Sequence, residues 1–192
     1  MNELAKEILE KIENQIRNSS IRFELVLKLF GSEENLSIIN KSAPNVFLIF
    51  HGVLMEAVVI GLNRLCDPSK DRQGNKNLSI GALRESLQIT DHKLHEKLLR
   101  LECAIKGEVK KLNPFRSKRI AHNDLDTQIE DLHRSIDNGA INESLMLLQE
   151  YVNTICLYYE DYSVNILNPP YPSGDGPDRL LSLLCKAMGE MM

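Results

Sequence analysis

Apolar residues recur at three- and four-residue steps over most of the chain, the spacing that lines one face of an α-helix. Leu4, Ile8, Ile12 and Ile16 run on into Phe23, Val26, Leu27 and Phe30, which predicts one long amphipathic helix over residues 2–30, ended by Gly31. Ser32 before Glu33 and Glu34 offers an N-cap followed by acids where the helix dipole favours them, so a short packing helix to about Asn40 comes next. From Ala43 to Cys66 apolar residues fall on nearly every side, and this stretch is expected to be the central helix of a bundle, burying most of the core. Residues 67–77 are rich in Asp, Pro, Ser, Lys, Gly and Asn without an apolar period and read as a long surface loop, a type that often carries function. Ser79 or Asn77 can then cap a helix bearing Ile80, Leu83, Leu87 and Ile89. Asp91 can cap the next, with Leu94, Leu98, Leu101, Ile105 and Val109, and the two are expected to form a helical hairpin.

Pro114 has no N–H for the helix ladder and pushes Asn113 out of the helical region, so the second helix of that hairpin should break there. Leu125, Ile129, Leu132 and Ile136 give a short helix stopped by Asp137-Asn138-Gly139. Asn142-Glu143 then opens a strong helix through Leu145, Leu148, Val152, Ile155, Cys156, Tyr159 and Tyr162. Residues 168–178 hold four prolines and two glycines and read as an extended linker to an apolar tail from Leu180 to Met188. The whole predicts an all-α protein: an antiparallel helical bundle with additional short helices over residues 1–168, and a linker and short helix over 169–192 that packs on the bundle or on a second subunit.

Composition narrows the partners. A chain of 192 residues with 43% hydrophobic content suits one domain with a real core. The net charge of -4 excludes a surface coated in basic residues, so any nucleic-acid contact must be local. Such a patch exists between Lys106 and Arg119, where six cations face the single acid Glu108, a net of +5. Cys66, Cys103, Cys156 and Cys185 lie far apart with no CxxC pair, which suits reduced core thiols and a cytoplasmic protein. The N-terminus lacks a signal-peptide core, and no apolar run is read as approaching the roughly 20 residues that a membrane span needs.

Polar residues inside the apolar stretches call for partners. His51 in the central helix reads as a satisfied core histidine, whereas Arg64 could pair with Asp67 or line a site. His92 and His95 stand one turn apart beside Glu96, but on an exposed first turn they read as surface and no metal site is assigned. There is no Gly-rich phosphate loop, no GxSxG and no His-Glu-x-x-His, so no cofactor is expected.

Chemical character concentrates in Arg116-Ser117-Lys118-Arg119-Ile120-Ala121-His122-Asn123-Asp124. Arginine can hold a phosphate with two prongs, and histidine moves protons near neutral pH. RNA supplies its own nucleophile, the 2′-hydroxyl, so cleavage needs a base, an acid and positive charge on the crowded phosphate. On an ideal helix six residues turn through about 600°, which leaves Arg116 and His122 about 120° apart around the axis. They converge only if the helix unwinds or if complementary groups come from elsewhere.

An arginine and a histidine separated by five residues in an all-helical chain resembles the signature of the HEPN superfamily. The Lys118-Arg119-Ile120-Ala121 run and His122-Asn123-Asp124 are similar to its U-type abortive-infection branch. Arg64-Leu65-Cys66-Asp67 with Asn77-Leu78-Ser79-Ile80, and Gly174-Asp175-Gly176 before the tail helix, resemble two further blocks of that branch. The resemblance implies a metal-independent endoribonuclease of phage defence or of a toxin-antitoxin pair. It would work as a homodimer with a composite site, with Arg116 and His122 catalytic, and leave 2′,3′-cyclic phosphate ends. Ser117, Asn123 and Asp124 would support the site, and Lys110, Lys111, Lys118 and Arg119 would contact RNA. HEPN ribonucleases usually place Asn, Asp or His directly after the motif arginine, and Ser117 departs from this. A silent RNA- or nucleotide-binding module, and a protein-binding neutraliser with a cognate antitoxin or regulator, are the alternative readings.

Overall fold

The Asn2 side chain accepts the Ala5 N–H at 2.8 Å and donates to the Ser86 carbonyl at 2.7 Å, so one residue both caps the first helix and ties it to the fourth. In the computed structural model, which describes residues 1–115, 136–167 and 175–190, the elements are α1 (Glu3–Phe30), α2 (Glu33–Ser42), α3 (Pro44–Leu65), α4 (Ile80–Ser86), α5 (His92–Lys111), α6 (Asn113–Phe115), α7 (Asn138–Tyr159) and α8 (Pro177–Glu190). Among the described residues there is no strand, and the chain is an all-α helical bundle.

Caps explain most helix starts. Ser32 accepts the Asn35 N–H at 3.1 Å, Ser79 the Ala82 N–H at 3.3 Å, and Asp91 the Lys93 and Leu94 N–H groups at 2.8 and 3.2 Å. The helix expected from Asn142 begins four residues earlier, because Asp137 is its cap rather than part of a stop and accepts the Ala140 N–H at 2.9 Å. The fourth helix ends at Ser86, short of Ile89, as Gln88 adopts a positive φ of 50°. The candidate helix at 125–136 falls mostly outside the described residues, and Ile136 itself is not helical.

Packing joins α1 to α3 and α5 to α7 around one core. Gly61 permits the first contact: a Cβ there would lie 2.7 Å from Ser19 Oγ and 2.8 Å from Gln15 Nε2. Ser19 is buried and donates to the Gln15 carbonyl at 3.0 Å, so the hydroxyl is satisfied at the helix crossing. On the far side, Gln149 of α7 accepts the Ile166 N–H at 2.6 Å and Asn153 accepts the Val164 N–H at 2.8 Å, folding the segment after α7 back along it. A second apolar cluster of Leu29, Ile39, Phe47 and Leu181 holds α8 against α1, α2 and α3 of its own chain.

The expectation that α3 buries most of the core holds only for its second half. Met55, Val58, Val59, Leu62 and Leu65 are buried, but Val46, Leu48, Ile49, Phe50 and Val53 are exposed at 52–67%. By length and composition alone α3 is apolar enough to cross a membrane, contrary to the expectation that no run approaches that length. Only 33% of its most apolar window is buried inside the fold. Apolarity on every side had the look of burial on every side, but the bundle surrounds one end of the helix and at the other covers only the side that carries Phe47. His51 sits at this transition, half-buried, with its ring edge-on to Phe30 at 4.9 Å.

Candidate nucleic-acid interface

The α5 helix carries the basic run towards the Arg116–His122 motif. It stops at Lys111, where the Leu112 N–H turns back to the Val109 carbonyl at 3.0 Å, and α6 takes up the next three residues. The expected break is present, though one residue before Asn113, which is itself helical. Pro114 sits second in the new turn, where no intrahelical N–H is required, so the break is displaced to Leu112. Arg116, Ser117, Lys118, Arg119, His122, Asn123 and Asp124 lie outside the described residues.

The two basic positions before the break differ. Lys110 is exposed and makes no ion pair among the described residues. Lys111 is held by Glu108, with Nζ 2.7 Å from Oε1 and 2.6 Å from Oε2, and this hydrogen bond raises its pKa. Farther back, Lys106 Nζ lies 3.7 Å from Glu102 Oε2. Two of the cations counted in the run are thus partly neutralised, one by an acid four residues upstream that the count from Lys106 onward left out. Of the three lysines of the run that lie in α5, only Lys110 has no ion-pair partner among the described residues.

Glu102 anchors this part of α5 in the core. Its Oε1 accepts Arg84 Nε at 2.7 Å and lies 3.2 Å from the Tyr151 hydroxyl, which also reaches the Ile80 carbonyl at 3.0 Å. The network locks α4, α5 and α7 together. Sequence periodicity missed it because Glu102 stands among charged neighbours, although its position on the apolar stripe with Leu98 and Ile105 was the available signal.

Arg64 and Asp67 do not pair. The Arg64 side chain is exposed at the end of α3, its carbonyl accepts the Asp67 N–H at 3.2 Å, and the two side chains form no ion pair with each other. Cys66 between them is half-buried, and burial pushes its thiol up to about 12. Cys156 is buried, while Cys103 and Cys185 are exposed rather than core, and all four are free thiols. Among the described residues no three His, Cys, Asp or Glu side chains converge as metal ligands.

The loop at 67–77 is a built element. Lys70 and Lys76 pair as an isolated antiparallel bridge, and Asn77 N–H reaches the Ser69 carbonyl at 2.9 Å. Asp71 organises the tip: Oδ1 accepts the Gln73 and Asn75 N–H groups and Oδ2 the Asn75 amide, each at 2.8 Å, which holds its carboxyl below the ordinary range. Gly74, at φ 87°, makes the left-handed turn that a side chain resists.

The family model HEPN_AbiU2, described as AbiU2, matches residues 5–171, which reach from α1 past α7 and include the segment with Arg116 and His122. No curated protein and no solved structure matches the chain.

Proposed function

The chain belongs to the AbiU2 family of HEPN domains associated with abortive infection, and on that premise we propose that it is an endoribonuclease acting without a metal ion. The observation that carries the reading is the pairing of family membership with an arginine and a histidine, Arg116 and His122, that follow directly on the basic end of α5. His122 of one protomer removes the 2′-hydroxyl proton as that oxygen attacks the adjacent phosphorus. His122 of the other protomer protonates the departing 5′ oxygen, and Arg116 steadies the charge on the crowded phosphate. The products are a 2′,3′-cyclic phosphate and a 5′-hydroxyl; the 2′ proton ends on one histidine, the 5′ oxygen takes its proton from the other, and exchange with solvent resets both. Ser117, Asn123 and Asp124 orient the pair, while Lys110, Lys118 and Arg119 hold flanking phosphates.

One histidine cannot be base and acid in the same step, so the mechanism needs two copies. Support for a two-copy assembly comes from α3. Val46, Phe50, Val53, Ala57 and Ile60 alternate four- and three-residue steps, the seam spacing of two helices lying side by side, and the first three are more than half exposed. That face also fits a protein partner such as an antitoxin, and light scattering separates the two: a dimer of the pure chain favours self-association.

The test is cleavage of total RNA in EDTA by the wild type, Arg116→Ala and His122→Ala. Each substitution is expected to slow cleavage by ~10²-fold or more with little change in Tm, since both groups act on the transition state. Equal rates for wild type and His122→Ala would overturn the proposal. Ser117→Asn introduces a side chain usual at this position in HEPN ribonucleases and is expected to raise the rate.

A further inference from the structure

Apart from the Arg116–His122 reading, we propose that the cleft between the start of α1, the 67–77 hairpin and α4 binds a nucleoside phosphate, held at its phosphate by Lys70 and Lys76. The cleft has a volume of about 420 Å³, in the range of small-ligand sites, and Leu4, Ile8, Leu78 and Ala82 give it an apolar wall. Lys70 and Lys76 both line it.

The two lysines are the reason to expect an anion. They stand opposite each other across the bridge, so their side chains leave the hairpin on the same face, and like charges so placed repel. Of the nearby acids, Asp71 is committed to the hairpin tip and Glu7 to Lys11 at 2.6 Å, which leaves Glu85, on Ser69 Oγ at 2.8 Å, as the one carboxylate of the cleft set against the two lysines. Neither Lys70 nor Lys76 has an ion-pair partner among the described residues. The hairpin that presents them is fixed by Asp71, by Asn77 Nδ2 on the Pro68 carbonyl at 2.8 Å and by Ser69 on Glu85. The frame keeps the two lysines on one face of the hairpin, and a doubly charged anion between them offsets their repulsion. A phosphate monoester carries nearly two charges at neutral pH and accepts from both ammonium groups. Four apolar side chains match the face of a single base, while phosphate alone would leave that wall uncovered.

Titration calorimetry of the full chain with AMP, adenosine and inorganic phosphate tests this. AMP is expected to bind saturably at one per chain and more tightly than either fragment. Lys70→Gln/Lys76→Gln should lower AMP affinity at least tenfold with an unchanged Tm, both side chains being exposed. Arg116→Ala, which slows cleavage on the reading above, should leave AMP affinity unchanged, so the two proposals fail separately. A 5′-phosphorylated oligodeoxynucleotide, which has no 2′-hydroxyl to be cut, identifies the source: competition with AMP points to a strand end and lack of competition to a free nucleotide. The absence of saturable AMP binding to the wild type, or a double variant that binds AMP within twofold of it, would overturn the proposal.

Discussion

The Tyr151 hydroxyl lies 3.2 Å from Oε1 of Glu102, a carboxylate that Arg84 also reaches at 2.7 Å, at a point where the tyrosine is fully buried. The hydroxyl shares its one proton between this oxygen and the Ile80 carbonyl. Tyr151→Phe removes only the donor and is expected to cost about 1–2 kcal/mol, whereas Glu102→Ala strands Arg84 and Tyr151 and should cost about 3 kcal/mol or more. Urea unfolding at pH 7 measures both, and equal losses would mean that Arg84 gains nothing from Glu102.

The same tyrosine sets an alkaline limit. Burial first, then Glu102, pushes its hydroxyl well above the usual value. The unfolded chain releases this proton near pH 10 while the fold retains it, so stability present below that pH is lost as pH rises through it. Cys66 has the same sign and begins earlier, because its thiol rises from 9.0 to about 12. Unfolding midpoints should fall from about pH 9 upward, and Cys66→Ala should flatten the first part of that decline.

Thiol labelling at pH 8 should divide the cysteines. Cys103 and Cys185 are exposed and should react with an aromatic disulfide reagent at once. Cys66, with about a thousandfold less thiolate than a thiol of ordinary pKa, and Cys156, buried, should wait for unfolding. Four fast thiols in the folded protein would contradict the packing at the end of α3.

Lys110 and Lys111 are neighbours with unequal roles. Because Glu108 holds Lys111, Lys110→Ala should weaken RNA binding and flatten its salt dependence more than Lys111→Ala does. Glu108→Gln frees Lys111 and should tighten binding. Filter binding at several salt concentrations decides the order.

If α3 joins two copies, Phe50→Glu with Val53→Glu should give a monomer of unchanged Tm that no longer cuts RNA, because both residues are exposed in the single chain. Light scattering reads the mass, and a persistent dimer would place the interface elsewhere.

Much of the fold was legible in the residues. Ser32, Ser79 and Asp91 were readable as caps because a side-chain oxygen before an apolar period has one obvious use. Asp137 was misread since Asp-Asn-Gly fits a turn as well as a cap, and only the position of Ala140 decides between them. The exposed half of α3 was beyond pattern reasoning, as periodicity reports which side chains are apolar and not which have neighbours. The hairpin at 67–77 was recognised as a loop, but its frame depends on Asp71 meeting Asn75 through space. The Arg64–Asp67 pairing failed for a similar reason: the α3 terminus turns the arginine outward.

Val46 to Phe50 reads Val-Phe-Leu-Ile-Phe, five residues of high strand propensity with no charge and no proline, and four of the five are exposed on the folded chain. Segments of this composition are prone to fibrillar self-pairing when they fray, and the first turns of α3 follow an N-terminus at Ala43 that has no side-chain cap to resist fraying. The single chain therefore displays its own aggregation nucleus, and whatever covers α3 also acts as its solubilising agent. Yield in the soluble fraction should then depend on the concentration of that cover as much as on the stability of the core.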